Sequence, residues 1–137
     1  MDMELQKSMM ISASGMKSQM TRMRVVAENI ANSGSEASEP GDAPYRRKLV
    51  TFEAALDNAI GAETVRVGKI DFDQSAFGQR FDPGHPGANA EGYVLTTNVN
   101  PLIESMDMSQ AQRSYQANMN AIEAVKTIGS RTMELLR

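Results

Sequence analysis

Apolar residues along the first thirty positions recur at alternating steps of four and three: Met9, Ala13, Met16, Met20, Met23, Ala27 and Ile30. That spacing is an a/d heptad seam held over about three heptads, and it predicts a helix over residues 3–32. Gly15 is the one poor helix former inside it, and the stretch holds no proline. The far end of the chain repeats the period with Met108, Ala111, Tyr115, Asn118, Ile122, Val125, Gly129, Thr132 and Leu136. Pro101 suits the first helical position and Asn100 the cap before it, so a second helix is predicted over 101–137. A helix of about 28 residues is roughly 42 Å long, and a stripe of that length cannot cover itself. The two terminal helices are therefore expected to pack on each other and on other subunits. Methionine fills many seam positions, and its adaptable side chain suits a helix with non-identical neighbours. Asn118 on the seam would fix register and partner choice. Glu104, Asp107, Glu123 and Glu134, set against Arg113, Lys126, Arg131 and Arg137, read as the wet face of the second helix.

Between the helices the period changes. Residues 33–44 carry serine, glycine and two prolines and read as a loop with a turn at Pro40-Gly41-Asp42. Residues 45–53 alternate as a half-buried strand does, and Arg46-Arg47-Lys48 at its start reads as a solvated edge. Glu53 to Ile60 suggests a helical turn or two. Val65 to Phe72 is a second strand, with Gly68 a candidate bulge. Residues 81–95 are dense in turns: Pro83-Gly84 and Pro86-Gly87 each suit a type II turn, and extended Tyr93-Val94-Leu95 follows. The expected fold is mainly α with a small β-rich middle. Two long terminal helices, 1–32 and 101–137, pack as one coiled-coil domain, and an irregular, hairpin-like β-rich segment, 33–100, is inserted between them.

Composition sharpens that division. Of 11 methionines, none lies between residues 24 and 105, whereas six of the seven aromatics (Tyr45, Phe52, Phe72, Phe77, Phe81, Tyr93) do. Two packing regimes share the chain. Its net charge of −3 argues against nucleic acid or an anionic membrane as an obligatory partner. No run of about 18 apolar residues is available to insert into a membrane. Leu5 is followed by Gln6, Lys7 and Ser8, so a cleavable secretory signal is not expected. With no cysteine, disulfides and thiolate metal sites are excluded.

Candidate chemistry is sparse. His85 is the only histidine, three residues after Asp82 and four before Asn89. A metal site wants three or four imidazole, thiolate or carboxylate donors, and this stretch offers two good ones. A histidine between two Pro-Gly turns is more simply a loop residue that bonds locally. No Ser-His-acid pattern, phosphate-binding loop or dinucleotide fingerprint occurs. No catalytic residue, metal or cofactor is assigned, and the chain reads as an assembly subunit. The alternatives are a self-contained helical-hairpin adaptor, and a small hydrolase or metal protein built on Asp82, His85 and Asn89.

Four segments carry a family resemblance: SASGMKSQMTRMRVVAENIANSGS near the start, PYRRK after the loop, DPGHPGANAEGYVLTTNVNP, and the closing SQAQRSYQANMNAIEAVKTIGSRTMELL. Together they resemble the flagellar rod and hook axial-protein family. The loop block with Asp82, Pro83, His85, Pro86, Gly92, Tyr93, Asn98, Asn100 and Pro101 narrows the resemblance to proximal rod subunits. Residues 54–79 match poorly. The resemblance implies a non-enzymatic structural subunit of the basal-body rod, the periplasm-crossing drive shaft. It implies export unfolded through the flagellum's own type III apparatus, without a cleavable signal. Implied partners are other rod proteins, the export-gate/MS-ring adaptor and copies of itself, the terminal helices forming an inner tube.

Overall fold

A computed structural model describes residues 2–137; Met1, the first residue of the expected 1–32 segment, lies outside the described residues. The element order is α1 (Asp2–Ala31), β1 (Lys48–Asp57), β2 (Ala62–Phe72), β3 (Gly78–Phe81), β4 (Tyr93–Thr96) and α2 (Pro101–Leu135). Two long helices pack together with a small antiparallel β region between them in sequence, as the heptad spacing predicted. Gly15 and Gly129 lie inside continuous helices. Asn100 caps α2: its Oδ1 accepts from the Leu102 N–H at 3.0 Å, and its carbonyl accepts from the Glu104 N–H at 3.0 Å.

The chain divides into two compact units. The first is Met1–Met23, Thr51–Lys69 and Ser109–Arg137; the second is Arg24–Val50 and Ile70–Met108. In the first unit the helices approach closely at Gly15, where an added Cβ would stand 2.8 Å from Asn118 Nδ2. Arg22 donates to Gln110 Oε1 at 3.0 Å, and Leu5 Cδ1 lies 4.0 Å from where Gly129 would carry a Cβ. Residue numbers fall on α2 as they rise on α1, so the pair is antiparallel. A Ser14–Val65–Ser18 bracket fastens β2 to α1: Ser14 Oγ accepts from the Val65 N–H and Ser18 Oγ donates to its carbonyl, both at 3.2 Å.

The residues expected to form a helical turn, Glu53 to Ile60, instead continue β1 to Asp57 and then turn. Glu53-Ala54-Ala55-Leu56 has helical propensity, but pairing with β2 overrides it, with Thr64 Oγ1 donating to the Ala55 carbonyl at 3.2 Å. Gly61, at φ 64°, closes the hairpin.

In the second unit, β3 and β4 pair antiparallel in the register Gly78↔Thr96, Gln79↔Leu95, Arg80↔Val94 and Phe81↔Tyr93. β3 has no counterpart in the sequence reading. Residues 35–37 flank β4 on its other side: the Ala37 N–H reaches the Leu95 carbonyl at 3.0 Å and the Thr97 N–H the Ser35 carbonyl at 3.2 Å. Val94, at the centre, is fully buried, and Val25, Val26, Ala37 and Val99 complete this small core.

A buried polar node and an exposed apolar face as the candidate assembly site

The second unit has a polar centre. Glu104, in the first turn of α2, and Asn29, near the end of α1, are among its most deeply buried side chains. Asn29 uses both ends of its amide. Its Nδ2 donates to Glu104 Oε2 at 3.2 Å and to the Lys48 carbonyl at 2.9 Å. Its Oδ1 accepts from the Tyr45 hydroxyl at 2.7 Å and the Lys48 N–H at 3.0 Å. Burial raises the Tyr45 phenol above its ordinary value, so it stays a donor at neutral pH.

Arg47 supplies the opposing charge. Its Nε is bonded to Glu104 Oε1, while its terminal nitrogens reach Asp73 at 3.3 Å and Asp107 at 3.2 Å. Burial works against the guanidinium charge, and bonds from Glu104, Asp73 and Asp107 overcome it, holding the group above its usual range. Asp73 is held below the ordinary carboxylate value, first by hydrogen bonds from Ser75 and then by Arg47. Asn98 Oδ1 accepts from the Arg47 N–H at 2.7 Å, and its Nδ2 donates to the Asp73 carbonyl at 3.0 Å. Arg46 donates to the Asp73 carbonyl at 2.7 Å and stacks over Phe77, 4.1 Å from the ring centroid. Lys48 pairs with Glu28 at 3.0 Å. The basic run is therefore not a solvated edge: each of its three cations is partly covered and bonded.

The turn-dense loop is a second polar cluster in the same unit. Arg80 grips Glu36 through Nε at 2.9 Å and a terminal nitrogen at 2.8 Å, and it also reaches Asp82 at 3.1 Å. The Arg80 hydrogen bonds hold the Glu36 carboxyl below its ordinary value. His85 Nδ1 accepts from the Gly87 N–H at 2.9 Å, which leaves Nε2 to donate to Glu36 at 3.2 Å. Asn89 Oδ1 accepts from the Glu91 and Tyr93 N–H groups, both at 3.0 Å. Asp82, His85 and Asn89 thus each serve the loop, and no group of three potential metal ligands occurs among the described residues.

Both Pro-Gly turns form, closed by the His85 N–H on the Asp82 carbonyl at 3.1 Å and the Ala88 N–H on the His85 carbonyl at 3.0 Å. Neither Gly84 nor Gly87 has positive φ, so the type II expectation gives way to type I geometry. Gly87 is required for another reason: a Cβ there would overlap the Ala37 backbone carbonyl. Gly92, at φ 88°, needs its glycine for conformation.

The seam residues divide by row. Met9, Met16, Met23 and Ile30 are half-buried, whereas Ala13, Met20 and Ala27 are exposed. On α2, Ala111 is fully buried and Met108, Tyr115, Asn118, Ile122, Val125, Gly129 and Thr132 are half-buried, with Leu136 exposed. A further apolar set points outward: Met3, Met10 and Ile11 on α1, and Leu102, Ile103, Met106, Ile128 and Met133 on α2. The second unit thus holds two polar clusters, and both helices carry exposed apolar side chains.

Residues 90–135 match the family model described as the flagellar basal body rod FlgEFG protein C-terminal region. The flagellar basal-body rod protein FlgC of Agrobacterium fabrum is 46% identical over 127 residues, covering 93% of this chain and 91% of that protein. Those of Bacillus subtilis and Salmonella typhimurium are each 36% identical, over 143 and 127 residues. They cover 93% and 91% of this chain, and 95% and 92% of their own lengths. The chain belongs to the FlgC family of flagellar basal-body rod proteins.

Three of the motifs that carried the resemblance, from distant parts of the sequence, meet in the second unit. AENIANS brings Asn29, PYRRK brings Tyr45 and Arg47, and NVNP brings Asn98 and the α2 cap. The sequence reading missed Glu104, which bonds both Asn29 and Arg47, by assigning it to a wet face. A signal was present: stepping the α2 seam back from Ala111 and Met108 by four lands on Glu104. Pro83, Pro86, Asn100 and Pro101 stay exposed, Tyr93 packs edge-on against Phe81 at 5.3 Å, and Gly92 is buried.

Proposed function

We propose that this chain is a structural, non-enzymatic subunit of the flagellar basal-body rod that assembles through its terminal helices. The observation that carries the reading is the outward apolar set on α1 and α2, with Met20 56% and Ile128 52% exposed, on a chain of the FlgC family. Large apolar side chains left outside on both helices gain stability only when a neighbour covers them. The polar node of the second unit acts as a lock within that unit, fixing the end of α1 and the start of α2 that it joins.

Among the described residues no helix is long and apolar enough to cross a membrane. Membership of the family supports assembly with other rod components at the basal body. The finer reading is an inner tube built from helices 1–32 and 101–137, with the 33–100 segment outside, spanning the periplasm. In that reading the export-gate/MS-ring adaptor and further copies of this chain are the neighbours. Met9 to Ile30 and Met108 to Leu136 then divide their seam between the chain itself and those neighbours. The chain travels through the flagellar export apparatus without a cleavable signal.

The test is a pair of substitutions on the outward face, Met20→Glu and Ile128→Glu, each introduced into the source cells. Circular dichroism of the purified variants should match the parent, while basal bodies carrying the variant should be missing and swimming lost. Normal motility with both variants would contradict assembly through these faces.

A further inference from the structure

We propose that the exposed turn Glu39-Pro40-Gly41-Asp42 of one copy docks in a groove between α1 and β2 of the next copy, its carboxylates against Lys17 and Arg66. The proposal rests on the assembly reading above and names one contact through which copies of this chain meet. Charge points to it first. The first unit carries nine Lys and Arg against seven Asp and Glu, and the second carries five against ten, so the units have opposite sign. A basic patch on one unit and an acidic patch on the other attract each other between copies and steer their encounter.

The acidic side is a rigid projection. Residues 38–43 are all exposed. The Asp42 N–H closes the turn on the Glu39 carbonyl at 3.0 Å, and Gly41, at φ 91°, supplies its left-handed position. Glu36, three residues earlier, is gripped by Arg80, but the Glu39 and Asp42 carboxylates have no hydrogen bond or ion pair among the described residues.

The basic side is a groove of about 370 Å³ in the first unit. Its shape is fixed by the chain's own bonds: Ser14 and Ser18 hold both backbone groups of Val65, and Thr21 Oγ1 donates to the Lys17 carbonyl at 3.3 Å. Val65 and Val67 give it an apolar wall on which Pro40 can lie. The Lys17 ammonium is exposed and makes no ion pair among the described residues. Arg66, 67% exposed, spends Nε and Nη2 on Glu53 at 3.3 and 3.1 Å, which leaves Nη1 for a second carboxylate. The groove therefore offers two cations beside an apolar wall, and the turn offers two carboxylates beside a proline. Turn and groove are different patches, so the contact is heterologous: each copy engages one neighbour by its turn and another by its groove. Repetition of such a contact builds a ring or a helical filament.

The experiment uses the full chain, with self-association followed by sedimentation. Association should weaken as sodium chloride rises from about 0.05 to 0.5 M, because exposed pairs are screened. Lys17→Glu and Asp42→Lys should each weaken it by about five- to tenfold. Dichroism and the urea midpoint should not change, since neither side chain has a partner within the chain. An equimolar mixture of the two variants should regain association, because the reversed groove of one meets the reversed turn of the other. The natural chain has no cysteine, so Lys17→Cys on one chain and Asp42→Cys on another should form a disulfide between copies. Variants that associate like the parent, or a mixture that stays as weak as its components, would overturn the proposal and leave the assembly reading standing. A chain that remains monomeric throughout would also overturn it; the motility of Met20→Glu and Ile128→Glu decides the assembly reading separately.

Discussion

Replacing Arg47 by methionine isolates the energetics of the second unit. Arg47 faces three carboxylates, but they differ in access to water. The Asp73 and Asp107 side chains are 24% and 30% exposed and can be hydrated once the guanidinium is gone, whereas Glu104 is fully buried. Asn29 Nδ2, at 3.2 Å, would remain beside the stranded carboxylate as a neutral donor. Removing one partner of a buried pair typically costs about 3–5 kcal/mol, because the other charge is left uncompensated. Arg47→Met should therefore raise the opening constant for residues 24–50 by roughly two to four decades. Asp107→Asn, at a side chain 30% exposed and with Arg47 still held by Glu104, should cost less than about 1 kcal/mol. Native-state hydrogen exchange read by peptide mass spectrometry measures both. Adding Glu104→Gln to Arg47→Met should recover most of the loss, because the stranded charge is removed. If Arg47→Met costs no more than Asp107→Asn, Glu104 does not depend on Arg47 and the node does not lock the unit.

Gly87→Ala should destabilise the second unit by about 1–3 kcal/mol, seen as a lower urea midpoint, because its methyl would overlap the Ala37 carbonyl. Asn100→Ala should cost about 1 kcal/mol by leaving the Leu102 N–H without its cap, with faster exchange confined to the start of α2. Asp73 and Glu36 sit below their ordinary values of 3.8 and 4.5, so each adds stability that is complete above those values. That stability is lost as pH falls through the lower folded values. The second unit should therefore hold steady from about pH 7 to 5 and weaken below about pH 4, measured by urea titration across pH.

The helices were legible because a heptad seam is a property of spacing alone: the α2 seam positions from Met108 to Thr132 are all at least partly covered in the structure. The cap at Asn100 was legible because its chemistry is local. Elements decided by partners were less so. Glu53 to Leu56 has a helical composition and becomes strand only because β2 lies beside it. The four-residue β3 carries no alternating apolar pattern, and its pairing with β4 defines it. The polar node was hidden for the same reason. Asn29, Arg47 and Glu104 are each unremarkable in their own segments, and burial of charge becomes favourable only where the three meet. His85 read correctly as a loop residue, although its partner, Glu36, lies 49 positions away and no spacing rule connects them.

The most direct test of the central claim is peptide mass spectrometry on hook–basal bodies purified from the source cells after acid removal of filaments. The rod reading predicts peptides from this chain at a constant ratio to the other rod proteins across preparations. Their absence from a preparation that contains the other rod proteins would contradict it.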